Sequence, residues 1–265
     1  MFSYTPSLCK RHLPSAHAFC SVLLVVSMVF FVSGCVGSLN TSRAVSAGTN
    51  LFRAASISDA QLSSMSAQLR NREDKTNQVA PANSPYTRRL NKLMANLKSV
   101  NGIPLSYKVY ITKQVNANAA PDGSVRVFSG LMDIMNDNEL RFVLGHEIGH
   151  VAYGHSKGRL RTAYVTAAVR DSVGAYGAGS ILSDSVLGQL ATNFVNAQYS
   201  QSNELEADQY GLKFLHDNGY PLNAAITCMS KLQGSGGFFS SHPSSKERIS
   251  KLQKTITSYG GRLDK

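Results

Sequence analysis

His146-Glu-Ile-Gly-His150 sets two imidazoles four residues apart with a carboxylate between them. On an α-helix, positions i and i+4 share a face, so both rings can reach one Zn²⁺ at roughly 2.0–2.1 Å. Glu147 is rotated by about 100° from His146 and cannot share that direction. It is placed instead to take a proton from water activated by the metal. The pattern is that of a metal-dependent peptidase. Two chance surface histidines are the bland alternative, but the chain has only seven His in all.

A two-histidine site needs a third protein ligand and an open position for water. His155 follows His150 by five residues, which swings it about 140° off the ligand face. It reads as a helix-end histidine beside the C-terminal dipole. Glu204 is the stronger choice. In Asn203-Glu-Leu-Glu-Ala-Asp208, Glu204 and Asp208 lie four apart on an expected helix and face the same way. One carboxylate can bind zinc while the other hydrogen-bonds the outer ring nitrogen of a ligand histidine. Glu206, about 200° away from Glu204, is the weaker ligand. Without the histidines, this stretch would read as a solvated acidic helix face.

The elements that must hold these groups are partly marked. Asn136 and Glu139 form a capping box that opens the histidine helix. Leu140, Val143, Leu144, Ile148 and Val151 follow as an apolar stripe, with His146 and His150 largely off it. One face is therefore expected to pack on a core and the other to line a cleft. Upstream, residues 107–112 and 124–128 alternate like strands and bracket a turn containing Pro121-Asp-Gly123. Residues 51–78 and 87–97 read as helices. Residues 160–198 are rich in Ala, Gly, Ser and Val but carry Arg170, Asp171 and Asp184, so they read as two close-packed helices and not as a membrane span. The expected class is α+β, mainly helical with a small antiparallel-containing sheet.

HEIGH, the run Glu204-Leu-Glu-Ala-Asp208, and His242-Pro243 with Arg248 six residues after the His together resemble the HtpX/BepA/LoiP family of bacterial envelope endopeptidases. Ala80-Pro-Ala-Asn-Ser84, Tyr107-Lys-Val-Tyr110 and Val127-Phe-Ser-Gly-Leu-Met-Asp133 are similar to its LoiP-like outer-membrane lipoprotein branch. The likeness runs from roughly residue 50 to the C-terminus. It implies a gluzincin-like zincin domain with one Zn²⁺ per chain held by His146, His150 and Glu204. It further implies Glu147 as the base and Asp208 as the outer partner of a ligand. His242 resembles a family histidine that approaches the metal from a loop, either closing the site as a switch or stabilising the transition state. A plain loop residue in the Gly-rich stretch 234–241 is the alternative. Arg248 could steady a carboxylate near the site or lie on a helix surface. Val115-Asn-Ala117 resembles the edge strand that binds substrate backbone, which would make Asn116 and Ala117 substrate contacts and favour unfolded or loop segments. Two departures bear on subsite preference and leave the zinc chemistry intact. Asn118 stands where LoiP-like sequences carry an aromatic, and Ser200-Gln-Ser-Asn-Glu204 departs from the S-R-x-x-E pattern.

Lys10 and Arg11 precede an apolar run over residues 22–32 that ends Val32-Ser-Gly-Cys35. The run is far short of the about 20 residues a span needs but suits a signal-peptide core. Its end resembles a bacterial lipobox. Residues 1–34 are thus expected to be a lipoprotein signal peptide, Cys35 the lipidated residue, 35–50 a flexible tether and 51–265 the peptidase domain. An uncleaved anchor or ordinary cleavage are the alternatives. Val36 stands where an Asp would resemble an inner-membrane retention signal, so outer-membrane residence facing the periplasm is expected. Cys9 and Cys20 would leave with the leader, so Cys228 has no partner for a disulfide and reads as a small buried hydrophobe.

The net charge of +11 loses Lys10 and Arg11 with the leader and becomes +9. Anionic lipid headgroups, acidic clients or simply a soluble basic surface account for it. Nucleic acid is not an expected partner of a secreted chain without a recognition motif. The resemblance implies unfolded or misassembled envelope proteins as substrates, and other envelope proteases or assembly factors as partners. Two other classes stay open: a latent or non-proteolytic client-binding lipoprotein, and a zinc hydrolase of murein peptides or another small amide. The intact Glu147 argues against the first, since a purely structural zinc site has no use for a base.

Overall fold

Local signals start several of the helices. Ser58 and Gln61 open α1 (Asp59–Thr76) with a reciprocal capping box. Ser84 caps α2 (Pro85–Leu93), with Pro85 in the first turn where its missing N–H costs nothing. That cap starts α2 two residues earlier than periodicity suggests. The computed structural model describes residues 56–171, 184–233, 237–244 and 246–260, all within the unit Ser46–Lys265. The expected signal peptide, Cys35, the tether and the helix start at residue 51 lie outside the described residues, as do 172–183 and 234–236.

A two-residue turn with Asn101 and Gly102 both at positive φ (49° and 77°) joins β1 (Ser99–Val100) to β2 (Ile103–Pro104), the conformation a tight hairpin requires. The main sheet contains β3 (Ser106–Tyr110), β4 (Ala117–Ala119) and β5 (Ser124–Phe128) in the order β3-β5-β4. β3 runs parallel to β5, and β4 antiparallel to it. The two strands expected from alternation therefore do not flank one hairpin. The Pro121-Asp-Gly123 turn closes β4 onto β5, and the sheet is mixed. The three-residue Ala-Asn-Ala strand is too short and too small in side chain to show in a hydrophobic pattern.

Beyond the sheet come α3 (Ser129–Ile134), α4 (Asp137–Ala152), α5 (His155–Asp171), α6 (Asp184–Asn196), α7 (Gln201–Asp217), α8 (Ala224–Leu232), a 3₁₀ turn over Phe238–Ser240 and α9 (Lys246–Ser258). The Asn136/Glu139 capping box forms as expected: Asn136 Oδ1 accepts from Asn138 N and Glu139 N, and Glu139 Oε2 from Asn136 N. The chain is thus mostly helical with small sheets, the expected α+β class. No helix among the described residues is long and apolar enough to cross a membrane.

Val109, Val125 and Val127 of the sheet, Leu140, Leu144 and Ile148 of α4, Leu212 and Leu215 of α7, Cys228 of α8 and Leu252 of α9 share one apolar core. Within it α4 and α7 touch backbone to backbone. A Cβ added at Gly211 would stand 2.9 Å from Phe142 O and 3.0 Å from His146 N, and one at Gly149 would lie 2.9 Å from Tyr210 Cβ. A second cluster joins Leu62, Met65 and Leu69 of α1, Leu160 and Tyr164 of α5, and Leu187, Leu190 and Phe194 of α6. The expected close-packed pair within 160–198 is α5 and α6.

Candidate metal centre

Because α7 lies so close to α4, the face carrying the histidines is covered. His146, Glu147, His150 and Glu204 are at most 1% exposed, so these side chains lie below the surface of the protein. α4 supplies His146, Glu147 and His150, and α7 supplies Glu204 and Asp208. His242 enters from the loop after the 3₁₀ turn, and Arg248 from α9.

Four donor groups converge: His146, His150, Glu204 and His242 offer ligand atoms all within 4.8 Å of one another. His146 Nε2 lies 3.1 Å from His150 Nε2 and 3.2 Å from His242 Nδ1. Glu204 Oε1 lies 3.4 Å from His150 Nε2 and 3.1 Å from His242 Nδ1, and Glu204 Oε2 lies 3.6 Å from His146 Nε2. Tetrahedral ligands at 2.0–2.1 Å from one ion are separated by roughly 3.3 Å. Three buried imidazole nitrogens aimed at one point have too few protons to satisfy one another, and a cation resolves that conflict. The residues therefore fit a metal of the zinc class, with His242 Nδ1 in the fourth donor position.

The outer nitrogens are held by different arms. His146 Nδ1 donates to Asp208 Oδ1 at 2.9 Å. Asp208 in turn receives Arg248 Nε and Nη2, each at 2.7 Å, while Arg248 Nη1 lies 2.6 Å from Glu204 Oε2. Arg248 is thus no surface arginine: at 1% exposure it bridges both carboxylates. His155 also departs from expectation. It does not end α4; Gly154, at φ 74°, turns the chain and His155 begins α5. Its Nδ1 lies 3.1 Å from His150 Nδ1 and its Nε2 2.9 Å from Glu206 Oε2. Glu206 accordingly points away from the donor cluster.

Electrostatics follow burial and pairing. Burial raises the pKa of Glu147, whose two buried carboxylate oxygens have no hydrogen-bond partner among the described residues; His242 Nε2 is 3.3 Å from Oε1. Burial holds the His150 pKa well below the usual imidazole value. At His146 burial acts the same way but is outweighed by the Asp208 hydrogen bond and the Glu204 charge, so its pKa rises. Burial likewise opposes ionisation of Glu204 and Asp208. The neighbouring imidazoles of His150 and His242 at Glu204, and hydrogen bonds from Arg248 and His146 to Asp208, hold both carboxyls below their ordinary values.

Aromatic rings wall the centre, and the sequence offered no signal for them. Tyr199 stacks on His150 with ring centroids 3.7 Å apart, and Phe238 on His242 at 4.4 Å. Arg159 lies over both Tyr199 and Phe194. Tyr199 immediately precedes the α7 N-cap Ser200, so its position follows from the placement of Glu204, but only once the packing of α7 is known. On the sheet, β4 is an edge strand. Phe128 N donates to Asn116 O and Ala120 N to Ser124 O, so the Ala117 carbonyl and Ala119 N–H point outward. Asn116 precedes this strand and Ala117 begins it. Asn116, Asn118, Arg159, Ser240 and Ser241 line a pocket beside it. Cys228 is buried and unpaired, as expected, and burial raises its thiol pKa.

Comparison with known proteins agrees with this geometry. Residues 81–256 match the pattern describing peptidase family M48. The chain is 39% identical over 246 residues to "Metalloprotease YcaL" of Escherichia coli (strain K12), covering 89% of this chain and 97% of that protein. It is 40% identical over 249 residues to "Metalloprotease LoiP" of the same organism, covering 91% and 98%. A more distant likeness, 31% over 153 residues, is to "Mitochondrial metalloendopeptidase OMA1" of Arabidopsis thaliana, covering 54% and 30%.

Proposed function

This chain belongs to peptidase family M48 and is a metalloendopeptidase, and from that premise we propose a zinc enzyme that cuts unfolded or misassembled envelope proteins from a lipid anchor in the outer membrane. The convergence of His146, His150 and Glu204 donors at tetrahedral spacing carries the reading. Zinc held there would supply Lewis acidity, activating water and polarising the scissile carbonyl. Glu147 accepts the proton of the attacking water and returns it to the departing amine nitrogen. Its raised pKa suits both steps. His146 is oriented by Asp208 and Arg248. The edge of β4, through the outward Ala117 carbonyl and Ala119 N–H with the Asn116 side chain beside them, receives an extended substrate backbone, which a folded helix or paired strand cannot offer.

The lipobox-like Val32-Ser-Gly-Cys35, with Cys35 as acyl acceptor, supports the anchor, and Val36 supports the outer membrane. Envelope substrates follow from that location and from the need for free backbone.

A second reading has an observation of its own. His242 Nδ1 sits among the ligand atoms and its ring is fully buried under Phe238, which supports a latent form whose fourth donor must withdraw before water and substrate enter. The same imidazole, once displaced, could donate to a developing oxyanion. The test compares mature protein starting at residue 36 with its Glu147→Gln variant on an unfolded protein, with zinc quantified in both. Zinc in both, with cleavage lowered by about 10²–10⁴ in the variant, is the expected result. Absence of stoichiometric zinc from the wild type would sink the proposal. Zinc in both without cleavage by either would favour the latent form, and His242→Ala should then gain activity.

A further inference from the structure

The outer nitrogens of the two α4 histidines end in unlike places. His146 leads into a buried ion pair, Asp208 with Arg248. His150 leads through a second imidazole to a carboxylate at the surface. His155 has a side chain 6% exposed, whereas that of Glu206 is 58% exposed. The Gly154 turn, at φ 74°, folds the start of α5 back so that the His155 ring stands 5.2 Å, centroid to centroid, from that of His150.

The protons along this path are determined by chemistry. A histidine that ligates through Nε2 is neutral and carries its proton on Nδ1. The Nδ1 of His150 faces the Nδ1 of His155 at 3.1 Å, so the second nitrogen must accept. That acceptance places the His155 proton on Nε2, which faces Glu206 Oε2 at 2.9 Å. The opposite tautomer of His155 would set N–H against N–H at one end and a lone pair against a carboxylate at the other. A carboxylate at Nε2 is therefore the group that selects the useful tautomer. Neither residue can act as a ligand itself: His155 is directed at the wrong nitrogen of His150, and Glu206 lies beyond it.

We propose that His155 and Glu206 are positioning residues for the metal, Glu206 setting the His155 tautomer and His155 holding the His150 ring with Nε2 toward the ion. The proposal rests on the reading of His150 as a ligand. It also gives the site an arm ending in solvent, so that a change on the surface of α7 is felt at a buried ligand.

The experiment measures zinc affinity by chelator competition, and the visible spectrum of the Co²⁺-loaded protein, for wild type, His155→Leu, His155→Gln, Glu206→Ala and the double variant. His155→Leu should weaken zinc binding by about 10- to 100-fold, the range for removing the outer partner of a ligand histidine, and alter the Co²⁺ bands. His155→Gln keeps an acceptor for the His150 N–H and should recover most of that loss. Glu206→Ala changes an exposed side chain that the fold does not need, and should weaken binding by a smaller factor. Glu206→Ala should add nothing in the His155→Leu background, since one relay cannot be broken twice. Additive losses would mean that Glu206 acts only through its general charge, and would overturn the relay. Unchanged affinity and spectrum in Glu206→Ala, or in a folded His155→Leu, would overturn it also. A wild type that binds no zinc sinks the metal-site reading and this one together; zinc-binding variants indistinguishable from wild type sink this one alone.

Discussion

Around α4 and α7 the interior carries His146, Glu147, His150, Glu204, Asp208, His242 and Arg248 at 1% exposure or less, whereas the cluster of α1, α5 and α6 is built on Leu62, Leu69, Leu160, Leu190 and their neighbours. Both regions are helices packed side by side, but the packing serves different ends. In the first, Gly149 and Gly211 let two backbones touch, which puts a glutamate from α7 within reach of histidines from α4. Every charge brought in must then be compensated, because unpaired ions in low dielectric are very costly. In the second region, beyond the first turn of α5 that carries His155, the contacts are made by large apolar side chains such as Leu62, Leu160 and Leu190. Mutations should therefore change metal binding and stability together in the first region, and stability alone in the second.

Arg248→Leu tests the first half of that statement most severely. It leaves Glu204 and Asp208 facing each other without their guanidinium, and breaking such a buried pairing should cost about 3–5 kcal/mol in urea unfolding of the metal-free protein. An unchanged midpoint would show that the carboxylates find other compensation. Leu160→Ala, at a fully buried position of the second region, should cost about 2–5 kcal/mol. Zinc content and kcat/KM of the remaining folded protein should stay at wild-type levels. If zinc is lost there too, the two regions act as one and the comparison breaks.

Gly211→Ala should cost less, about 1–3 kcal/mol, because the added methyl meets Phe142 O and His146 N and pushes α7 outward. Unlike Leu160→Ala, it should weaken zinc binding more than it lowers stability, measured by the same chelator competition.

The smallest effect concerns the join between α1 and the sheet. Asp74 receives Arg126 Nε at 2.8 Å, Lys108 Nζ at 2.6 Å and Tyr110 Oη at 2.7 Å. Burial opposes its ionisation, but those bonds prevail and lower its pKa to about 2. A depressed folded-state pKa stabilises above the unfolded value, near 3.8, and that stability is lost as pH falls toward 2. Asp74→Asn should flatten this part of the acid-unfolding curve without changing zinc affinity near neutral pH. An acid limb identical to wild type would show that Asp74 does not contribute to it.

Much of the site was legible because it rests on short spacings. The histidine pair, the base between them, the Asn136/Glu139 start of the helix and the shared face of Glu204 and Asp208 all follow from helical periodicity. The sheet was harder. Strand β4 is three residues long, so alternation could not reveal it, and the parallel return of β3 beside β5 is a matter of topology. A stripe shows which face of α4 is apolar, but not that the glycine-faced α7 packs directly beside the histidines. Arg248 was marked only by its place six residues after His242 in the family resemblance, and His155, Tyr199 and Phe238 carry no spacing signal that ties them to the metal centre.

The sequence by itself determined which atoms can share a helix face. At 3.6 residues per turn, His146 and His150 must point together wherever that helix lies. Only the tertiary structure decided that Glu204 and His242 meet them, that Arg248 joins two carboxylates, and that the Gly154 turn sends His155 back to His150. Spacing within a helix is set by its covalent geometry and local hydrogen bonds. Distance between elements is set by many weak contacts acting at once, here by the absence of side chains at Gly149 and Gly211, and no local pattern encodes that sum.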